Sequence, residues 1–292
     1  MIEPVFRPGK ESDIDQVATL LSVHMNRKVS PADFRRLMDY RWAGEKPHIG
    51  MVAEAGGNIV GFLGSVWSIR RFGGDSRTFG SFTSLYVHKD WRGHNLGLRM
   101  MRTYEARPDI TYTVYDPSER VHGILEQCGF RDLDTHRRVW EQGMGENGEE
   151  MEVVEGHGAI AGLLDAEQRR YLDDHAALPA LPLLFRDGSR EAFCFFLRQD
   201  RGLDGVCHEL IYTDDPVALA ALIGRVAGWF LARDPRARLL VDERFFDGHD
   251  TTGMRQTLSC RRMVRRAYPP VPDWRIDHLY SETLLLDLKL GL

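Results

Sequence analysis

The sequence predicts an α/β chain of two successive units. First, residues 79–115 read as strand, glycine turn, helix, strand. Second, the half beyond residue 157 repeats the strand, helix, strand outline without the glycine turn. Third, Gly143–Glu152 (GMGENGEEME) between the halves is glycine-rich and acidic, as a linker or exposed loop is. At 292 residues the chain suits two units of about 100–200 residues each. The division expected is 1–142, a linker at 143–156, and 157–292.

Composition narrows the function classes. A hydrophobic content of 43%, with six Trp and fourteen Phe, is enough for packed cores. A net charge of −5 and a pI near 6.1 argue against a broad nucleic-acid surface. Cys128, Cys194, Cys207 and Cys260 have no CxxC or Cys/His spacing, so no metal site is expected and they read as buried thiols. The start MIEPVFRP lacks an apolar signal core. Val217–Leu231 is apolar but contains Arg225 and is shorter than the ~20 residues of a span. The expectation is a cytoplasmic protein, away from membranes, monomeric or homodimeric.

Taken in order, residues 4–7 form a short strand before Pro8-Gly9. Ile14, Val17, Leu20 and Leu21 make Glu11–His24 an amphipathic helix, with Ser12 and Asp13 as candidate caps. Ser30-Pro31 opens a second helix through Phe34, Leu37, Met38 and Tyr40. His48–Glu54 and Asn58–Ile69 are strands joined by the Ala55-Gly56-Gly57 hairpin signal. A Gly73-Gly74-Asp75 turn leads to the strand Phe79–Val87. Arg107-Pro108 stops the helix that follows, Ile110–Tyr115 is the next strand, and Asp116-Pro117-Ser118 starts a helix running to Gly129-Phe130. Beyond the linker, a helix is expected over Asp165–Ala177 and strands over Leu183–Arg186, Ala192–Gln199 and Val206–Tyr212. A long helix over Asp215–Ala232 follows, then strands near Arg238–Asp242 and Tyr280–Leu286.

The chemistry concentrates between the strand Phe79–Val87 and its helix. Arg92-Gly93-His94-Asn95-Leu96-Gly97 holds two glycines and an asparagine, residues that accept positive φ and bring backbone close to a ligand. Peptide N–H groups at the helix start favour an anion, and Arg92 and Arg99 add charge suited to a phosphate ester. These residues predict a pyrophosphate cradle. An ordinary β–α turn that needs glycine would read the same locally.

The segment resembles motif A of the GNAT superfamily of acyl-CoA-dependent N-acyltransferases, R/Q-x-x-G-x-G/A. Arg92 to Gly97 occupy it in order, with Asn95 at the fourth position where the family has glycine. Ser118…Ile124-Leu125-Glu126-Gln127-Cys128-Gly129-Phe130 resembles motif B, with Leu125 where many members carry the tyrosine that protonates the thiolate. The resemblance implies, for each unit, a mixed, mostly antiparallel sheet flanked by helices. It also implies acetyl-CoA or another acyl-CoA as co-substrate and a small-molecule amine as acceptor. Carried over residue by residue, Arg92, Gly93, His94, Asn95, Leu96, Gly97 and Leu98 would hold the pyrophosphate. Leu85, Tyr86 and Val87 would pair with the pantetheine amides, and Ser118 would steady the pantetheine arm.

The central strands contain no carboxylate, so catalytic candidates come from the strand end. Tyr115 could act as acid, and Asp116 as base or amine orienter. Asp116 could equally cap the helix at Pro117, and Tyr115 could simply end the strand. His88 and His94 are more ordinary as solvated loop histidines. The second half resembles a degenerate GNAT-like unit. Its strand exit, Tyr212-Thr213-Asp214-Asp215-Pro216, has no glycine loop and two carboxylates that would repel a pyrophosphate. Arg261-Arg262 and Arg265-Arg266 read as a solvated basic face. Two other readings stand beside the transferase: a non-catalytic CoA- or partner-binding module, and a tandem GNAT-like aminoacyl transferase, which would want a basic groove.

Overall fold

The computed structural model describes residues 3–42, 46–72, 74–146, 151–200 and 205–286. Its strands are β1 Val5–Pro8, β2 Gly50–Ala55, β3 Asn58–Phe72, β4 Asp75–Val87, β5 Thr111–Val114 and β6 Arg131–Trp140. They continue as β7 Glu152–Glu155, β8 Ala180–Asp187, β9 Arg190–Asp200, β10 Val206–Thr213, β11 Arg238–Asp242 and β12 Met254–Arg265. The helices are α1 Ile14–Leu20, α2 Pro31–Arg35, α3 Leu96–Arg102, α4 Glu119–Gln127, α5 His157–Ala161, α6 Ala166–Asp174, α7 Pro216–Arg233 and α8 Glu282–Leu285.

The chain divides by contact into two units. Unit 1 is Met1–Asp132 with Arg262–Pro270 and Tyr280–Leu292; unit 2 is Leu133–Arg261 with Val271–Leu279. This differs from the expected division, because two late segments belong to unit 1. The expected linker is partly structured: Glu146 N–H donates to Gly224 O at 2.9 Å and residues 152–155 form β7, while 147–150 lie outside the described residues.

In unit 1 the strand order is β1-β2-β3-β4-β5-β12, antiparallel except for the parallel pair β4/β5. In unit 2 it is β7-β8-β9-β10-β11-β6, antiparallel except for β10/β11. Each unit is thus a mixed, mostly antiparallel sheet with helices. Each parallel pair is joined by a crossover containing a helix, α3 in unit 1 and α7 in unit 2, as parallel neighbours require. Each sheet is completed by a strand from outside its own half of the sequence.

The core of unit 1 sets Leu96, Met100 and Met101 of α3 and Leu125 of α4 against Trp67, Phe82, Tyr112 and Met263 of the sheet. In unit 2, α7 buries Leu219, Leu222, Ile223, Val226 and Phe230 against Phe185, Cys194, Phe196, Leu210 and Leu239. This helix has the length and hydropathy of a membrane span, yet its apolar face is core. Its Arg225 pairs with Asp187 at 2.7 Å.

Several sequence expectations are corrected. The second helix ends at Arg35, and turns carry the chain to Met38. Tyr280–Leu286 is not a strand: Tyr280, Ser281, Glu282, Leu284 and Leu285 are all buried, without alternation, and 282–285 is helical. The basic face at 261–266 is divided, with Arg261 exposed and Arg265 and Arg266 half-buried. Arg262 is buried and donates to Tyr115 O; Arg265 donates to Tyr104 O and lies 4.8 Å from the Tyr112 ring.

Candidate functional site

The site is organised by the parting of two strands in unit 1. β4 and β5 are in register at Phe79/Thr111, Gly80/Tyr112 and Ser81/Thr113, and the pairing ends there. Two residues on, β4 shifts register against β3, between Phe62/Tyr86 and Gly64/Thr83. Ser84 sits at the shift with φ 52°, in the left-handed region that a side chain disfavours. Such a bulge bends its strand and re-aims the residues after it. Tyr86 and Val87 therefore stay in register with β3 at Phe62 and Gly61, Leu85 falls within the shift, and the pairing with β5 has ended.

The turn into α3 follows at once. Gly93 has φ 87°, and a Cβ there would meet nothing within 4 Å, so glycine answers conformation and not crowding. Asn95 caps α3 from the left-handed region (φ 55°, ψ 25°), as its non-glycine substitution in the motif allows. Residues 92–95 are exposed, while Leu96 is buried and anchors the helix start. The first turn bond is Arg99 N–H to Asn95 O at 2.9 Å. Among the described residues, none accepts from the N–H groups of Gly93 to Leu98. Gly97 lies 3.6 Å, by its would-be Cβ, from the Leu85 side chain.

Charge around the turn is divided. Arg92 is exposed, donates from Nε to Val87 O at 3.2 Å and lies 5.8 Å from the Tyr86 ring. Arg99 turns away, to Glu3 at 3.0 Å and the Phe6 ring at 4.5 Å. Of the two arginines expected at a phosphate, Arg92 stands at the turn and Arg99 is engaged elsewhere. His94 is exposed, and His88 caps a 3₁₀ turn by accepting from Asp90 N–H at 3.4 Å.

The far side of the gap carries the other candidates. Ser118 is the N-cap of α4, exposed, and its hydroxyl makes no capping bond. Asp116 is therefore not the helix cap, and the capping alternative for it falls. Tyr115 is fully buried, with its carbonyl accepting from Arg262. Leu125 is buried in the core cluster.

A further carboxyl lies in Tyr280-Ser281-Glu282, which the sequence offers as a cleft lining or, by preference, as a terminal strand. Glu282 accepts from Ser81 Oγ at 2.8 Å across a sequence separation of 201. Burial first, and the nearby Asp116, push this carboxyl up to about 7, against the Ser81 bond and the Arg262 charge. The cleft-lining alternative names Glu282, but its partner Ser81 is visible only in the tertiary contact. No cluster of ligating side chains able to hold a metal ion occurs among the described residues.

Residues 46–132 match the family described as "Acetyltransferase (GNAT) domain". Solved structures of the same fold include a GCN5-related N-acetyltransferase from Anabaena variabilis, 12% identical, covering 90% of this chain and 72% of that one at TM-score 0.55. A conserved protein of unknown function from Enterococcus faecalis, a probable N-acyltransferase, is 11% identical over 93% and 73% at TM-score 0.57. A GCN5-related glucosamine N-acetyltransferase region of a fungal multi-domain GH3 β-N-acetylglucosaminidase is 12% identical over 90% and 38% at TM-score 0.54. A search of curated proteins found no match.

Proposed function

We propose, on the premise that this chain is an N-acetyltransferase of the GNAT superfamily through its residues 46–132, that unit 1 transfers an acetyl or related acyl group from CoA to a small-molecule amine. The observation that carries the reading is the gap opening beyond Ser81/Thr113, next to a turn with available N–H groups. An extended thioester can lie in such a gap and satisfy strand groups that β5 leaves. Its pyrophosphate would meet Arg92, Gly93, His94, Asn95, Leu96, Gly97 and Leu98. Leu85, Tyr86 and Val87 would pair with the pantetheine amides, and the Ser118 hydroxyl would hold the arm from the α4 side. Tyr115 would protonate the departing thiolate, and Asp116 would orient the amine. Amino sugars are a chemical class to try first, given the glucosamine N-acetyltransferase region among proteins of this fold.

The reading is tested by acetyl-CoA titration in a calorimeter, then thiol release against pooled primary amines. Binding that Arg92→Glu weakens, with amine-dependent thiol release, is the expected result. Binding with no release from any amine or from water would favour a non-catalytic module. The aminoacyl-tRNA reading is weakened by the inward placement of Arg262 and Arg265, which removes them from any basic groove. A cytoplasmic location fits a reaction that draws on the acyl-CoA pool.

A further inference from the structure

We propose that Glu282, brought to the strand gap by the C-terminal segment, is the catalytic base that accepts the proton of an ammonium acceptor. This deepens the acyltransferase reading above and rests on it.

The geometry is specific to the face. Phe82 packs into the cluster of α3 and α4, so its neighbour Ser81 points to the opposite face of the sheet. Glu282 is held there by Ser81, the last residue of β4 in register with β5. Asp116, two residues past the end of β5, is close enough to raise the Glu282 carboxyl. The Glu282 carboxyl thus sits where the strands part, on the Ser81 face and away from the α3 cluster, with Asp116 near enough to act on it. The thioester would come from the α3 side and the amine from the carboxyl side, so each reactant has its own approach.

The segment is anchored for this task. Tyr280 is buried, 5.5 Å from the Trp42 ring and 5.6 Å from the Arg70 guanidinium. Leu284 and Leu285 are buried beyond it, so Glu282 is fixed on both sides. Among the described residues, Asp116 favours the protonated form of Glu282 and Arg262 the ionised form; Arg70 of β3 lies against Phe79 and Tyr280. A carboxyl poised near 7 takes a proton from an ammonium far better than an ordinary one, and is still ionised in part at neutral pH.

The step balances. Glu282 takes one proton from R–NH₃⁺, and the freed nitrogen pair forms a C–N bond to the thioester carbon. The C–S bond breaks with its pair on sulfur. The second N–H proton ends on that sulfur, giving amide and CoA thiol, and Glu282 returns its proton to solvent.

The full-length protein and its Glu282→Gln and Ser81→Ala variants would be compared by acetyl-CoA calorimetry and by thiol release. The acceptors are pooled primary alkylamines, water, and hydroxylamine, which is largely unprotonated at neutral pH. Expected for Glu282→Gln is acetyl-CoA affinity within about twofold, alkylamine turnover down by about 100-fold or more, and a smaller loss with hydroxylamine. The limb of kcat that rises through about pH 7 should vanish with it. Ser81→Ala should lower kcat by roughly tenfold and shift that limb, since the lost bond favoured the ionised form. Unchanged turnover and pH limb in Glu282→Gln would overturn the inference. So would equal losses with alkylamines and hydroxylamine, loss of acetyl-CoA binding in both variants, or an unaltered protein that binds acetyl-CoA and releases no thiol. Failure of the unaltered protein to bind acetyl-CoA defeats instead the reading on which the inference rests.

Discussion

The two crossovers, β4 to α3 in unit 1 and β10 to α7 in unit 2, share a topology and differ in what their helix starts do. In unit 1 the turn is glycine and asparagine, and among the described residues its N–H groups have no acceptor. In unit 2 Asp215 Oδ1 accepts from Val217 N–H at 2.8 Å and Ala218 N–H at 2.9 Å, with Pro216 at the first helical position. Asp214 accepts from Phe193 N–H at 2.8 Å and from Gln168. One helix start offers its donors to an anion, and the other closes them with its own carboxylate. The glycines divide the same way. Gly93 faces open space, whereas a Cβ on Gly228 of α7 would stand 1.9 Å from Glu146 O. Identical connectivity therefore says little about ligands; half a dozen turn residues decide.

The largest effect should come from the packing glycine. Gly228→Val is expected to destabilise unit 2 by about 3 kcal/mol or more, read as a lowered urea midpoint, because backbone and not a flexible side chain blocks the space. A midpoint equal to wild type would mean that the 143–146 segment does not dock as seen. Next, Arg92→Glu should weaken acetyl-CoA by roughly 10–100-fold, about 1.4–2.8 kcal/mol, in calorimetry. Asp215→Lys in unit 2 should leave that affinity unaltered, and a gain or loss of acetyl-CoA binding there would break the contrast. Asp215→Ala should cost about 1 kcal/mol of stability by losing the cap, measured by denaturant titration.

A pH effect sharpens the same contrast. Burial, more than any other cause, pushes the Asp214 carboxyl up to about 6. Between its ordinary value and 6 the native state holds a proton that the unfolded state has released. The associated stability is complete below about 4 and is lost as pH rises through 6. Thermal melts of Asp214→Asn across pH 4–7 should show a flatter profile than wild type. The smallest effect is Asn95→Gly, expected to change acetyl-CoA affinity by less than about 0.5 kcal/mol, because glycine accepts the same φ. A large loss would show that the asparagine side chain itself contacts the ligand.

What the sequence made legible follows from how local each signal is. The β3 and β4 strands and the 92–97 turn carry their cues within a few residues, as apolar alternation and as glycine and asparagine. The α7 helix is equally legible, while the capping role of Asp215 appears only in the structure. β6 and β12 were not read as strands, because Arg137, Arg138, Arg255, Arg261, Arg262 and Arg265 dilute the apolar pattern. Arg138 pairs with Glu243 and Arg265 donates to Tyr104 O, each inside its own unit. Glu282 can be named from sequence as a cleft lining, but its partners cannot. A buried carboxyl is defined by what surrounds it, and Ser81 is far away along the chain. The preferred terminal strand over Tyr280–Leu286 fails because Tyr280, Ser281 and Glu282 are all buried, without alternation, and 282–285 is helical.

The pairing of Met263–Arg265 with Tyr112–Val114 has a consequence for how the molecule is made. While a ribosome is still extending the nascent chain beyond residue 115, the outer edge of β5 has no neighbour. At ~5–20 residues per second that interval lasts on the order of ten seconds. An unpaired strand edge is a template for wrong partners, so this is the stage at which chaperone capture would matter most. A messenger cut short before codon 262 would yield a polypeptide holding the 92–97 turn yet lacking the strand that pairs with β5.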